Sequence, residues 1–246
     1  MPGGEAQRIQ PYPKHLWFLI LSYSMIIVQS NWFDVRIIRI FNMDTDAGTL
    51  VFPLTFLLSD VITEVYGYKQ ARRAIWCGFL FNVICIVYGQ IITSFPSPEY
   101  ATHNQMFDNF LILNIRIIFS SFVSYMISEP VNSFIMAKMK INFKGQHMGI
   151  RFILSTVVAA LLDSGIFAVL AYYGTMSHME LFNLIITMWF IRIVIEVIGL
   201  PLSTWLAGYL KKIEHLDIYD NKTNFTIFSL DGDYSTNSNK FIEEEA

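Results

Sequence analysis

The sequence is short of charge. Only 15% of its 246 residues are Asp, Glu, Lys or Arg, against about 25% in soluble domains. A net charge of −3 removes the basic face on which a nucleic-acid binder depends. Cysteine is nearly absent as well. Cys77 and Cys85 lie on one apolar segment, about 12 Å apart at a helical rise of ~1.5 Å per residue. That separation excludes a disulfide between them, and they read as reduced, buried residues. No G-x-x-x-x-G-K-[ST], no H-E-x-x-H and no nucleophile elbow occurs. None of the five histidines pairs at metal-ligand spacing. The chain therefore offers no catalytic residue, no metal site and no cofactor, and it reads as a protein that is not an enzyme. The apolar stretch near the N-terminus lacks a small-residue cleavage site and belongs to a first span rather than to a signal peptide.

What the sequence has is long apolar runs. Hydrophobic residues make up 54% of it and mean hydropathy is +0.44. A bilayer crossing takes about 20 mostly apolar residues, and the candidates run over Leu16–Phe33, Leu50–Val65, Ala74–Ser94, Phe110–Ala137, Phe152–Tyr173 and Leu181–Tyr209. Lys and Arg gather before the first run, in the loops holding Lys69, Arg72, Arg73 and Lys138, Lys140, Lys144, Arg151, and at Lys211 and Lys212. The third and fifth loops have neither. Basic loops face the cytoplasm. The expectation is an all-α integral membrane protein, a bundle of six transmembrane helices with both termini cytoplasmic. It divides into a short N-terminal segment (1–14), a transmembrane domain (15–210) and a polar, acidic tail (211–246) that reads as disordered.

Charges inside these spans are the informative residues: Asp60 and Glu64, Arg116 and Glu129, Asp163, Arg192 and Glu196. Each ionised side chain at the bilayer centre costs at least ~2.5–3.5 kcal/mol on insertion scales, so they should face the bundle interior. Carboxylates outnumber arginines there. Some then stay protonated, or a cation or a donor-rich ligand meets them. Asp60 and Glu64 share a helix face at i, i+4, as do Arg192 and Glu196. The second pair has opposite charges and can bridge; the first must look elsewhere. Arg72 and Arg73 are near enough in sequence to serve Glu64. Asp163 and Arg192 read either as an interhelical salt bridge or as two walls of a shared cavity. Arg116 either snorkels outwards or joins the interior. Pro130 and Pro201 free backbone carbonyls within their spans.

The stretch "FPLTFLLSDVITEVYGYKQARRAIWCGF" (52–79) resembles the signature of the queuosine precursor transporters, classed with the vitamin-uptake transporters. "RIIFSSFVSYMISEPVNSFIMAKMK" (116–140), "STVVAALLDSGIFAVLAYYG" (155–174) and "IRIVIEVIGLPLSTW" (191–205) are similar to later family segments. The resemblance implies a six-helix inner-membrane importer of 7-deazaguanine precursors such as preQ0 and preQ1. It has a small-molecule substrate and the bilayer as its partners. Asp60, Glu64, Arg72, Arg73, Arg116, Asp163 and Pro201 match family positions. Glu129 and Asn132 stand where the family commonly has Gln and Asp, Ala160 where it has Gln, and Arg192 where Lys is usual; these departures bear on which precursor is preferred.

The chemistry of a 7-deazaguanine fits independently of the family. Its edge offers adjacent N–H and NH₂ donors that one carboxylate accepts together. Substrate-binding candidates are therefore Asp60, Glu129, Asn132, Asp163 and Arg192. Glu64, Arg72, Arg73, Arg116, Glu196 and Pro201 are candidates for structural or gating roles. Alternative readings are an importer of another nucleobase or vitamin, and a substrate-binding subunit working with a separate ATPase.

Overall fold

The structure, a computed structural model, describes residues 13–40, 42–221, 223–229 and 231–241, and only the backbone of residues 112–114. The N-terminal segment 1–14 thus lies almost wholly outside the described residues. Among the described residues six helices are long and apolar enough to cross a membrane, as the hydropathy predicts. They are α1 (Leu16–Phe33), α2 (Pro53–Tyr66), α3 (Tyr68–Thr93), α4 (Asn104–Asn142), α5 (Met148–Tyr172) and α6 (His178–Glu214).

α2 is the axis of the bundle. Its span, extended by a 3₁₀ turn over Gly48–Leu50, is 78% buried within the protein, whereas no other span exceeds 44%. Only Leu54 and Leu58 of α2 escape burial. The helix starts at Pro53, whose missing N–H costs nothing at a helix's first position. It stops at Gly67, with φ at +82°, and α3 begins at the next residue. A Cβ on Gly67 would lie 2.5 Å from the Tyr234 hydroxyl, so space as well as φ demands glycine. Helices α1, α3, α4 and α6 pack around α2, and α5 closes the ring between α4 and α6.

α3, α4 and α6 run beyond the apolar runs, because the polar turns Tyr68–Arg73, Asn104–Asp108 and Leu210–Glu214 continue the helices past the hydrophobic stretch. α6 opens with a capping box: the Ser177 hydroxyl accepts from the Glu180 N–H and Glu180 reaches back to the Ser177 N–H. At the other end of the bundle Gly145 and His147, both at positive φ, turn α4 into α5.

Three expectations change. First, a small hairpin interrupts the all-helical pattern. β1 (Ile37–Ile40) pairs antiparallel with β2 (Met43–Asp46), Asn42 takes φ +63°, and Arg39 clasps Asp44 across the strands. Second, the tail expected to be disordered packs on the basic end of the bundle through residue 241. Its composition is polar, but Leu216, Ile218 and Tyr219 are buried. Arg72 donates to the carbonyls of Asn224 (3.1 Å), Thr226 (2.8 Å) and Asp231 (2.6 Å). The Trp76 indole donates to the Ile227 carbonyl, and the Tyr68 N–H to Asp220. α6 runs through residue 210 to Glu214, and the described tail residues lie against the helix ends. Third, both cysteines are free as expected, but Cys85 is exposed and Cys77 half-buried rather than buried.

Candidate functional site

Five of the seven charged positions within the spans, all on α2, α4, α5 and α6, converge beside α2. Asp60 projects from the middle of α2 and is fully buried. α4 supplies Asn132, whose Nδ2 donates to Asp60 Oδ1 at 2.8 Å. One turn earlier, Glu129 accepts from the Thr55 hydroxyl at 3.0 Å. α5 supplies Asp163, which accepts from Ser128 at 3.0 Å and forms a salt bridge with Arg192 of α6. The Arg192 guanidinium also lies over the Phe52 ring, 4.8 Å from its centroid. Glu196, one turn along α6, is buried beside Asp60 and Glu129.

The serines and threonines between these groups explain how an oily bundle tolerates them. Ser59 meets Ser133 at 3.1 Å, and Thr55, Ser128 and Ser155 satisfy neighbouring acceptors. The satisfaction is incomplete. Asp60 Oδ2, Asn132 Oδ1, Glu129 Oε2, both oxygens of Glu196 and Arg192 Nε make no hydrogen bond. The Tyr23 hydroxyl sits near Glu129, and Thr156 near Glu196, without meeting hydrogen-bond geometry. An unmet buried polar group costs ~1–3 kcal/mol. The centre therefore presents acceptors and a guanidinium N–H to any polar solute that enters it. Among the described residues no group of three or more His, Cys, Asp or Glu is placed to hold a metal ion.

The remaining candidates lie apart from this centre. Glu64 does not pair with Arg72 or Arg73. It takes a two-point contact from Arg151 at 2.6 and 3.0 Å and a third from Lys211 at 2.6 Å. Lys140 joins from α4 and, with Lys211, contacts Asp217 of the tail. This cluster ties α2, α4, α5, α6 and the tail together at the basic end. Arg72 holds the tail, and exposed Arg73 donates to Gln70 at 3.4 Å while its guanidinium packs against Gly232 of the tail. Arg116 is exposed and donates to the carbonyls of Leu170 and Tyr173, capping α5 at the opposite end. Arg192 is committed to Asp163, so the local bridge to Glu196 does not form. Pro201 is exposed, with Thr204 satisfying the Leu200 carbonyl at 2.7 Å. Its neighbour Gly199 packs on Leu57 too closely for a side chain.

Sequence reasoning missed Arg151, Lys140 and Lys211 as partners of Glu64, because they stand among loop charges and nothing local reveals that they turn towards α2. It also missed Asp34 and Asp46, a buried acidic pair at the hairpin end. A cleft of ≈ 580 Å³ opens at that same end, between the hairpin and the start of α6, with Asn42, Asp44, Glu180 and Asn183 in its walls.

The six apolar helices of the described residues, packed around a sealed polar centre, define a multi-pass membrane protein. The chain belongs to the family described as "Putative vitamin uptake transporter", whose model matches residues 46–206. That range holds Asp60, Glu129, Asn132, Asp163, Arg192 and Glu196. The chain is also 23% identical, over 177 residues, to a Bacillus subtilis (strain 168) protein named "Probable queuosine precursor transporter". The alignment covers 71% of this chain and 76% of the relative. No solved structure matches. Family and relative are transporters, not enzymes.

Proposed function

We propose that this protein imports 7-deazaguanine precursors of queuosine, preQ0 or preQ1, across the inner membrane for salvage into tRNA. The observation that carries the reading is the Asp60 carboxylate, sealed at the centre with one oxygen unpartnered and the other steadied by Asn132. A guanine-like edge presents two parallel N–H donors. A carboxylate has about four acceptor sites, so Asp60 accepts both while keeping the Asn132 contact. The unpaired Arg192 Nε is then available to the ring carbonyl of the base. Phe52 and Tyr23, both buried near these groups, offer aromatic faces to a flat heterocycle. The name of the Bacillus subtilis relative supports the same substrate class.

The basic end faces the cytoplasm in this reading, with both termini there, because Lys and Arg concentrate at that end. The cleft at the hairpin end is then the approach from outside, and the Glu64–Arg151–Lys211 cluster is the closed inner gate. Cysteines introduced at exposed Ser97 and exposed Lys144, in a background lacking Cys77 and Cys85, test the orientation. Impermeant reagent added to intact cells should label the first and spare the second; the reverse pattern inverts the topology.

Substrate is tested by rescue. A bacterium lacking its own importer and unable to make the precursors should regain queuosine in tRNA when it expresses this protein and receives preQ0 or preQ1 at low concentration. No rescue by either, with the protein present in the membrane, rejects the assignment.

A further inference from the structure

Buried carboxylates run the length of the bundle. Asp34 and Asp46 interact beneath the hairpin, and Asp34 is within electrostatic reach of Asp163 and Arg192. Asp163 is within reach of Glu129, Glu129 of Asp60 and Glu196, and Asp60 of Glu64. None of these acids is more than 6% exposed. Most have a partner: Asp46 accepts from Thr49, Asp163 pairs with Arg192, and Glu64 with Arg151 and Lys211.

Glu196 differs. It is 1% exposed and neither oxygen makes a hydrogen bond. The groups that face it are acidic or neutral: Asp60 from α2, Glu129 from α4 and Thr156 from α5. Arg192, one turn earlier on the same helix, is held by Asp163 and the Phe52 ring. An ionised carboxylate without a partner is costly in such an interior. The described residues offer no metal-holding group of acids beside it, and a proton neutralises the carboxyl with no further ligand.

We propose that uptake is coupled to proton entry and that Glu196 is the group that carries the proton. The proposal rests on reading the chain as an importer. While the centre is open to the side from which substrate enters, Glu196 takes a proton from hydronium, one hydronium O–H bond breaking as the carboxyl O–H forms. On the other side that O–H breaks and the proton passes to water, restoring hydronium and the carboxylate. A proton on Glu196 removes the like charge beside Asp60, so Asp60 stays ionised and accepts the donors of the base. Proton and base then favour each other's binding, and this linkage is reciprocal.

The test uses the purified full chain in proteoliposomes with labelled preQ0, which carries no basic side group. An inward proton gradient of one pH unit should hold preQ0 accumulated up to about tenfold at one proton per base, one unit being 1.36 kcal/mol. Glu196→Gln should lose the accumulation, its inside-to-outside ratio remaining near one with or without the gradient. Wild-type uptake indifferent to the gradient, or a Glu196→Gln response equal to wild type, overturns the proposal. Infrared spectroscopy of the substrate-free protein supplies a second readout. A protonated-carboxyl C=O band at neutral pH should be present in the wild type and reduced in Glu196→Gln, and no such reduction overturns the assignment to Glu196. If preQ0 is not transported in any condition the substrate reading fails, and the infrared band still decides the proton.

Discussion

Asn132 reaches across the α2–α4 contact to hold one oxygen of Asp60 at 2.8 Å, and leaves the other without a partner. Two helices thus fix the orientation of a buried carboxylate while keeping part of its accepting capacity free. Removing the clamp should disorder the acceptor. Hydrogen bonds to charged groups contribute ~1.5–3 kcal/mol. Asn132→Ala is therefore expected to raise the half-saturating precursor concentration by roughly one to two orders of magnitude. Unchanged half-saturation at normal protein levels would separate Asn132 from binding.

Arg151 is fully buried and gives two hydrogen bonds to Glu64. Replacing it with Met strands a buried carboxylate with Lys211 as its close partner. Breaking a buried pair by removing one member costs about 3–5 kcal/mol, so Arg151→Met should lower the melting temperature in detergent strongly. Arg73→Ala, at an exposed position, should stay within about 0.5 kcal/mol of wild type. Equal melting temperatures for the two variants would contradict the role of the cluster.

Arg72 donates to three tail carbonyls, a task for which its planar fork is suited and a lysine is not. Limited proteolysis should cut residues 215–241 slowly in the wild type and several-fold faster in both Arg72→Ala and Arg72→Lys. A Lys variant as resistant as wild type would show that charge alone holds the tail.

Asp34, just past the end of α1, has its carboxyl pushed well above the usual aspartate range by burial, and further by the adjacent Asp46. The folded state therefore holds a proton there at pH values where the unfolded chain has lost it. Stability from this site is full below the ordinary aspartate pKa and falls as pH rises towards the folded value. Asp34→Asn cannot lose that proton. Its melting temperature should exceed wild type by an amount that grows from acid towards neutral pH. A difference constant with pH would show that Asp34 ionises normally.

Much of the architecture was legible because hydrophobic length is a strong signal: all six crossings are where apolar runs place them. Asp60, Glu129, Asp163 and Arg192 were legible because a charge deep in an apolar run is costly against lipid and turns inwards, whereas Arg116, near the start of its apolar run, stays exposed. The partners of Glu64 were not, since Arg151 and Lys211 stand among loop charges in the sequence and only the packing of α5 and α6 against α2 brings them to it. The tail itself was misread because composition reports average polarity, whereas its docking depends on a few positions, Leu216, Ile218, Tyr219 and the carbonyls that meet Arg72. The hairpin is short, and its Arg39–Asp44 clasp carries no periodic signature.

Uptake of labelled preQ0 and preQ1 at concentrations below saturation, by wild type and by Asp60→Asn inserted at equal levels, tests the central claim most directly. The substitution keeps the shape of the side chain but turns one acceptor oxygen into a donor that faces the donors of the base. Wild type should take up at least one precursor, and Asp60→Asn should lose most of that uptake while retaining the wild-type melting profile in detergent. Wild-type uptake rates in Asp60→Asn would show that Asp60 does not read the base.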